Sequence, residues 1–198
     1  MTAPRIAPLE APYDEDTQAL FEKLMRSKRE PLNIFKTKAK HPELFPYQMA
    51  MGGILLYKGV LDRVERELVL HRTCARCGSK YEWGVHVAAF ARPLGISEEK
   101  IRGTITAYWD DPIWSERESA LIRFVDELHD TATISDALWA QLAEGWSEKE
   151  IIELIAIVGN YHGISFFTNA LQIDIEDSAE SELWDACQAE SVSAKTDA

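Results

Sequence analysis

Glu82 and His86 lie four residues apart in the run Ser79-Lys80-Tyr81-Glu82-Trp83-Gly84-Val85-His86. In a helix that spacing puts a carboxylate and an imidazole on one face. Such a pair can poise an acid or base near neutral pH, because the carboxylate orients the ring and raises its pKa. The same spacing suits a plain structural ion pair, and Ser79-x-x-Glu82 suits a capping box in which serine and glutamate satisfy each other's backbone donors. Glu67, in the preceding segment, shares a helical face with His71 and Cys74 and can fold over the start of the Glu82 helix. Between them, Cys74-Ala75-Arg76-Cys77 offers two thiols. Gly78 follows, so the cysteines are expected in the last turn of a helix. The partial negative charge there raises a thiol's pKa, the reverse of the helix N-terminus that activates redox CxxC pairs. A structural zinc site needs four ligands, and the sequence supplies no second Cys/His pair, with Cys187 far away in an acidic tail. Core thiols are therefore favoured over a redox pair, and no metal is expected. Downstream, Asn160-Tyr161-His162-Gly163 interrupts an apolar helix and makes Tyr161 and His162 candidate pocket donors. Ser79 shares the Glu82 face and Trp83 adjoins it; both are candidate substrate contacts. His41 and His129 read as loop or helix-end residues.

The elements that must position these groups are helical. Alternating β-branched runs bounded by hairpin turns are almost absent. Asp14-Glu15-Asp16 caps a helix expected to reach about Ser27, and residues 28–41 read as a loop around Pro31 with Ile34 and Phe35 as anchors. A helix follows His41-Pro42, with Pro42 in its first turn, and contains Gly52-Gly53, where another helix or a ligand can approach. Asp62 caps the helix that carries Glu67. Later helices are expected at 115–130, 135–145 and 147–170. Val64-Glu65-Arg66-Glu67-Leu68 resembles Ser115-Glu116-Arg117-Glu118-Ser119, and Ser97-Glu98-Glu99-Lys100-Ile101 resembles Ser147-Glu148-Lys149-Glu150-Ile151. Residues 64–105 and 115–155 thus read as two copies of one helical hairpin. Two copies suggest pseudo-twofold packing, since a solenoid needs three or more.

With 198 residues, 46% of them hydrophobic, the chain can bury one substantial core. The expected organisation is an extended arm over 1–13, an all-α domain over 14–172 and an acidic tail over 173–198. Net charge is −12, and the tail carries eight acidic residues against Lys195, so −7 of the total lies there. No basic patch suits a phosphate backbone, which argues against nucleic acid as a partner. No uninterrupted apolar run approaches the roughly 18 residues of a membrane span, and Met1-Thr2-Ala3-Pro4-Arg5 lacks a signal-peptide core. The expectation is a cytoplasmic protein with resting thiols.

The segment Arg66-Glu67-Leu68-Val69-Leu70-x-Arg72…Cys77-Gly78-Ser79-Lys80-Tyr81-Glu82-Trp83-Gly84-x-His86 resembles the carboxymuconolactone decarboxylase family, within the alkyl hydroperoxidase D-like superfamily. The likeness extends to His41-Pro42-Glu43-Leu44, Leu94-Gly95-Ile96-Ser97, Asp126-Glu127-Leu128-His129 and Gly159-Asn160-Tyr161-His162, covering roughly residues 30–172. It implies an all-α fold and assembly into dimers, trimers or hexamers through helical hairpins. The superfamily's peroxidase branch pairs a glutamate with a CxxC and a histidine. Aligned on His86, those cysteines fall at Ser79 and Glu82 and that glutamate at Glu67, so the CxxC here is out of register by five residues. The resemblance implies a lyase-type enzyme that moves protons on a small anionic carbonyl or lactone substrate. His86 is then the acid/base, Glu82 or Glu67 its partner, and neither metal nor organic cofactor is called for. A thiol peroxidase or reductase using Cys74 and Cys77 is the first alternative, and a non-catalytic oligomeric binding protein the second.

Overall fold

The computed structural model describes residues 3–25, 30–177 and 179–196, side chains from 191 onward excepted. Among the described residues there is no strand. The helices run α1 Glu15–Leu24, α2 Asn33–Lys38, α3 Phe45–Tyr57, α4 Arg63–Arg76, α5 Lys80–His86, α6 Glu98–Thr106, α7 Glu116–Thr131, α8 Asp136–Gly145, α9 Glu148–Leu171 and α10 Ser181–Thr196. A π-helical turn, Val87–Ala91, continues α5. Local chemistry sets most starts. Asp14, Asp62, Ser97, Ser115, Ser135 and Ser147 each accept a backbone N–H of the first turn. At Ser115/Glu118 and Ser147/Glu150 the bonding is reciprocal. Each such cap contributes about 1 kcal/mol.

Helix α4 lies at the centre, packed against α7, α9, α5 and α6. Its Leu68, Val69, Leu70 and Cys74 join Leu121, Ile122 and Phe124 of α7 and Leu154, Ile157 and Val158 of α9 in one core. Arg72 ties the layers together: it forks onto both Asp126 oxygens at 2.7 Å and reaches the Thr104 and Ala107 carbonyls. That planar, bidentate fit is one a lysine cannot make. By length and composition α9 would suit a bilayer, but here it serves as a central helix of the bundle. The two similar sequence segments adopt the same order, with α4, α5 and α6 in one and α7, α8 and α9 in the other.

Several expectations are corrected. Residues 33–38 form a short helix within the expected loop. The proline in the first turn of α3 is Pro46, while Pro42 sits in the turn before it. The expected end of α1 at Ser27 lies outside the described residues. The capping box at Ser79 does not form: its hydroxyl bonds Thr168 at 2.9 Å, and the Glu82 side chain turns to His86.

The acidic tail is structured rather than free. α10 packs on α5 and α6; Trp184 and Cys187 are buried, and Trp184 meets Trp83 edge to face at 5.5 Å. Lys80–Asp185 and Arg102–Glu190 ion pairs flank the contact. Both anchors are apolar residues spaced three apart, so a largely polar helix docks through one narrow stripe. Trp184→Ala is expected to cost about 3–5 kcal/mol, the usual range for emptying a buried tryptophan site. Thermal unfolding measures it, and a change under 1 °C in Tm would show that α10 does not stabilise the body.

Candidate active site around His86

The turn between α4 and α5 brings the chemistry together. Gly78 takes φ +64°, a conformation costly for other residues, and the Ser79 N–H returns to the Cys74 carbonyl. The chain thereby folds α5 back along α4, and Glu67 meets His86 across the pair: His86 Nδ1 lies 3.0 Å from Glu67 Oε2. The other Glu67 oxygen accepts from Arg66 Nε at 3.0 Å and Nη2 at 2.8 Å. On the far side of the ring, Nε2 stands 3.4 Å from both Glu82 Oε1 and the Tyr161 hydroxyl. Phe90, carried round by the π-helical turn, stacks on the ring at 4.8 Å. Glu67, Glu82, His86, Arg66 and Tyr161 are all buried.

This electrostatic arrangement fixes protonation states. Burial pushes the Glu67 carboxyl up, but the charge and hydrogen bond of His86, with His71 and Arg66, outweigh it and hold the group at about 2. Burial pulls His86 down, but Glu67 and Glu82 overcome it and raise the ring to about 9. At neutral pH His86 is therefore an imidazolium with both N–H groups engaged, one on Glu67 and one between Glu82 and Tyr161. His71 differs although it sits near the same carboxylate. Burial dominates, Glu67 offsets it only partly, and the ring stays neutral with its pKa at about 4. Its Nδ1 bonds the Glu67 backbone carbonyl, leaving Nε2 a buried acceptor with no partner among the described residues. Two neighbouring histidines thus hold opposite charge states, the separation that distinguishes a proton donor from a neutral one.

The structure brings four sequence candidates together: Glu67, Glu82, His86 and Tyr161. It places the others elsewhere. Ser79 is buried on Thr168. Trp83 is a core residue, its indole N–H bonded to Thr104 at 2.9 Å. His162 follows Tyr161 by one residue, about 100° round α9, and meets His129 instead. Cys74 is wholly buried and burial raises its thiol well above the ordinary value; Cys77 is half-buried, its thiol raised by the same cause. Sequence reading passed over three residues here. Arg66 and His71 were visible as neighbours of Glu67 along α4. Lys38 was not: it arrives from α2, is buried beside the Phe167 ring, and is lowered by burial while Glu82 partly restores it. No sequence signal links residues 38 and 82.

A second polar cluster lies at the other end of α4. Cys77, His129 and His162, all half-buried, place a sulfur and two ring nitrogens within 4.8 Å of one another, the donor types a transition metal takes. The search for a second Cys/His pair along the sequence could not find it, because the partners come from α7 and α9.

Comparison with known proteins places this geometry. Residues 42–127 match the model of the carboxymuconolactone decarboxylase family. No curated protein sequence matches significantly. Among solved structures, an uncharacterized peroxidase-related protein from Silicibacter sp. TM1040 is similar with TM-score 0.74 and 20% identity, over 89% of this chain and 96% of that one. The alkylhydroperoxidase AhpD core protein from Ralstonia eutropha JMP134, also an uncharacterized peroxidase-related protein, gives 0.71 and 21%, over 89% and 95%. The debrominase Bmp8 in complex with 2,3,4-tribromopyrrole gives 0.71 and 18%, over 92% and 96%. At these identities the structures share a fold, and one of them is an enzyme. Residues 42–127 thus carry a match to the carboxymuconolactone decarboxylase family model, and the chain shares the fold of the alkyl hydroperoxidase D-like structures.

Proposed function

We propose that the protein is a lyase-type enzyme acting on a small anionic carbonyl or lactone acid, with His86 as its general acid. The observation that carries this reading is a buried imidazole held between Glu67 on one nitrogen and Glu82 with Tyr161 on the other. In a decarboxylation the bond to the substrate carboxylate breaks, CO2 departs, and the electron pair delocalises onto a conjugated carbonyl oxygen. His86 then delivers its proton to carbon and is reprotonated from solvent. Tyr161, kept a phenol chiefly by burial, is placed to donate toward the enolate oxygen. Lys38 supplies a cation beside Glu82 for the substrate's carboxylate. The peroxidase-related names among the similar structures raise the thiol alternative; the full burial of Cys74 and the raised thiols weigh against it. A screen of lactone acids and β-keto acids, followed by CO2 release and double-bond absorbance, tests the proposal. Turnover that requires His86, with Lys38→Met raising KM, is expected. Peroxide turnover in place of any lyase activity would overturn it.

The same reading includes a homo-oligomer. α3 is apolar at nearly every position, Gln48 excepted, and Tyr47, Ile54 and Tyr57 are 77%, 51% and 66% exposed. Gly52 and Gly53 face open space on that helix. A helix apolar on every side is a buried helix, so a second copy is expected to cover it. Light scattering at micromolar concentration should give a multiple of the chain mass, and Ile54→Glu should shift it toward the monomer. A wild-type monomer would remove the idea.

A further inference from the structure

We propose that Cys77, His129 and His162 form a binding site for a zinc-class divalent ion, separate from the His86 site. The ligands are Cys77 Sγ, His129 Nδ1 and His162 Nε2, with the fourth position left to water.

Three helices bring the donors to one point: the C-terminal cap of α4, the last turn of α7 and the middle of α9. The two ring nitrogens are 3.0 Å apart, and all three donor atoms lie within 4.8 Å of one another. Ligand atoms around a tetrahedral ion, with bonds of about 2.0–2.3 Å, stand about 3.3–3.6 Å apart. His162 is already set for ligation. Its Nδ1 donates to the Val158 carbonyl at 2.9 Å, which turns Nε2 toward the other donors. Backbone carbonyls hold metal-binding imidazoles in this way at established sites. His129 presents its Nδ1 to that Nε2 at 3.0 Å. Without metal its Nδ1–H donates to His162 Nε2; with metal that proton moves to Nε2 of the same ring, and the Cys77 thiol gives its proton to solvent.

The nearest cation offers little competition. Arg76 is bound to Asp126 and Asp130 and so largely compensated. One thiolate with two imidazoles suits borderline ions such as Zn²⁺ rather than Mg²⁺ or Ca²⁺, which prefer oxygen. All three residues are half-exposed, which provides an entry path and an open coordination position. The site is ten residues along α4 from Glu67, about 15 Å of helix rise. α9 joins the two sites, since Tyr161 faces His86 and the next residue faces Cys77. A bound ion would also remove Cys77 from thiol chemistry, which explains a partly exposed cysteine next to two histidines without invoking a disulfide.

The test is titration of the full, metal-stripped chain with Co²⁺, read by absorbance, followed by competition with Zn²⁺. The expected result is one Co²⁺ per chain with a thiolate-to-cobalt charge-transfer band, lost on adding Zn²⁺. Cys77→Ser should abolish the band. His129→Gln and His162→Gln should each weaken binding by at least roughly tenfold, whereas Cys187→Ser should leave it unchanged. Circular dichroism checks that each variant is folded; the half-exposed positions leave the core intact. The inference fails if the wild-type chain binds no Co²⁺ at micromolar concentrations. It fails equally if the band survives Cys77→Ser, or if both histidine variants bind as the wild type does. None of these readouts depends on catalysis, so the lyase reading and the metal site stand or fall separately.

Discussion

His86→Gln is expected to lower turnover about 10²–10⁴-fold, the range for loss of a positioned acid, on whichever substrate the lactone-acid and keto-acid screen identifies. Glutamine keeps the approximate size and can donate to Glu67 Oε2, but it cannot deliver a proton. Because His86 acts as the imidazolium, kcat/KM should hold as pH rises through neutrality and fall through the raised pKa of about 9. Cys74→Ala with Cys77→Ala should leave turnover within a few-fold, while removal of buried sulfur costs about 1–2 kcal/mol of stability. The two sets of variants make opposite demands. A folded double-alanine protein without activity, beside an active glutamine variant, would transfer the chemistry to the thiols.

Glu67→Gln should produce a large loss of stability. Glu67 is fully buried and balances Arg66 and His86 together. Its neutralisation leaves buried positive charge uncompensated, which costs about 3–5 kcal/mol, or roughly 6–20 °C in Tm for a chain of this size. The pH dependence provides the specific signature. His86 is raised from 6.5 to about 9, so its contribution is complete below pH 6.5 and is lost as pH rises toward 9. Glu67 is lowered from 4.5 to about 2, so its contribution is present above pH 4.5 and is lost as pH falls toward 2. His71 is lowered from 6.5 to about 4, and it likewise favours the folded state above pH 6.5 and loses that contribution toward 4. Wild-type Tm should therefore be highest near pH 6.5 and decline on both sides. In Glu67→Gln the alkaline decline should shrink and begin at lower pH, because only Glu82 is left to raise His86. An unchanged alkaline limb would mean that Glu67 does not hold the imidazolium.

The helices were legible from sequence because their starts are local chemistry. Ser97, Ser115, Ser135 and Ser147 accept N–H groups two or three residues on, and Gly78 takes a conformation that other residues avoid. The face shared by Glu82 and His86 followed from helical geometry alone, and the position of Cys74 and Cys77 at a helix end from Gly78. Where a side chain had alternative partners at long range, sequence could not choose among them. Ser79 had a capping partner three residues away and took Thr168 instead, 89 residues on. Glu82 was thereby released to face His86. Residues 173–198 were read from their charge as an acidic tail, and the structure docks α10 within them through Trp184 on Trp83. Neighbours on a helix point about 100° apart, and the bundle alone decided that Tyr161 faces His86 while His162 faces His129. Sequence by itself determined the helical class, the family likeness and the shared helical face of Glu82 and His86. Only the tertiary structure decided which of two histidines near Glu67 is charged, because that turns on burial and on the position of one carboxylate. It alone set Lys38 beside Glu82 and gathered Cys77, His129 and His162, since a polar atom's surroundings come from packing among segments far apart in the chain.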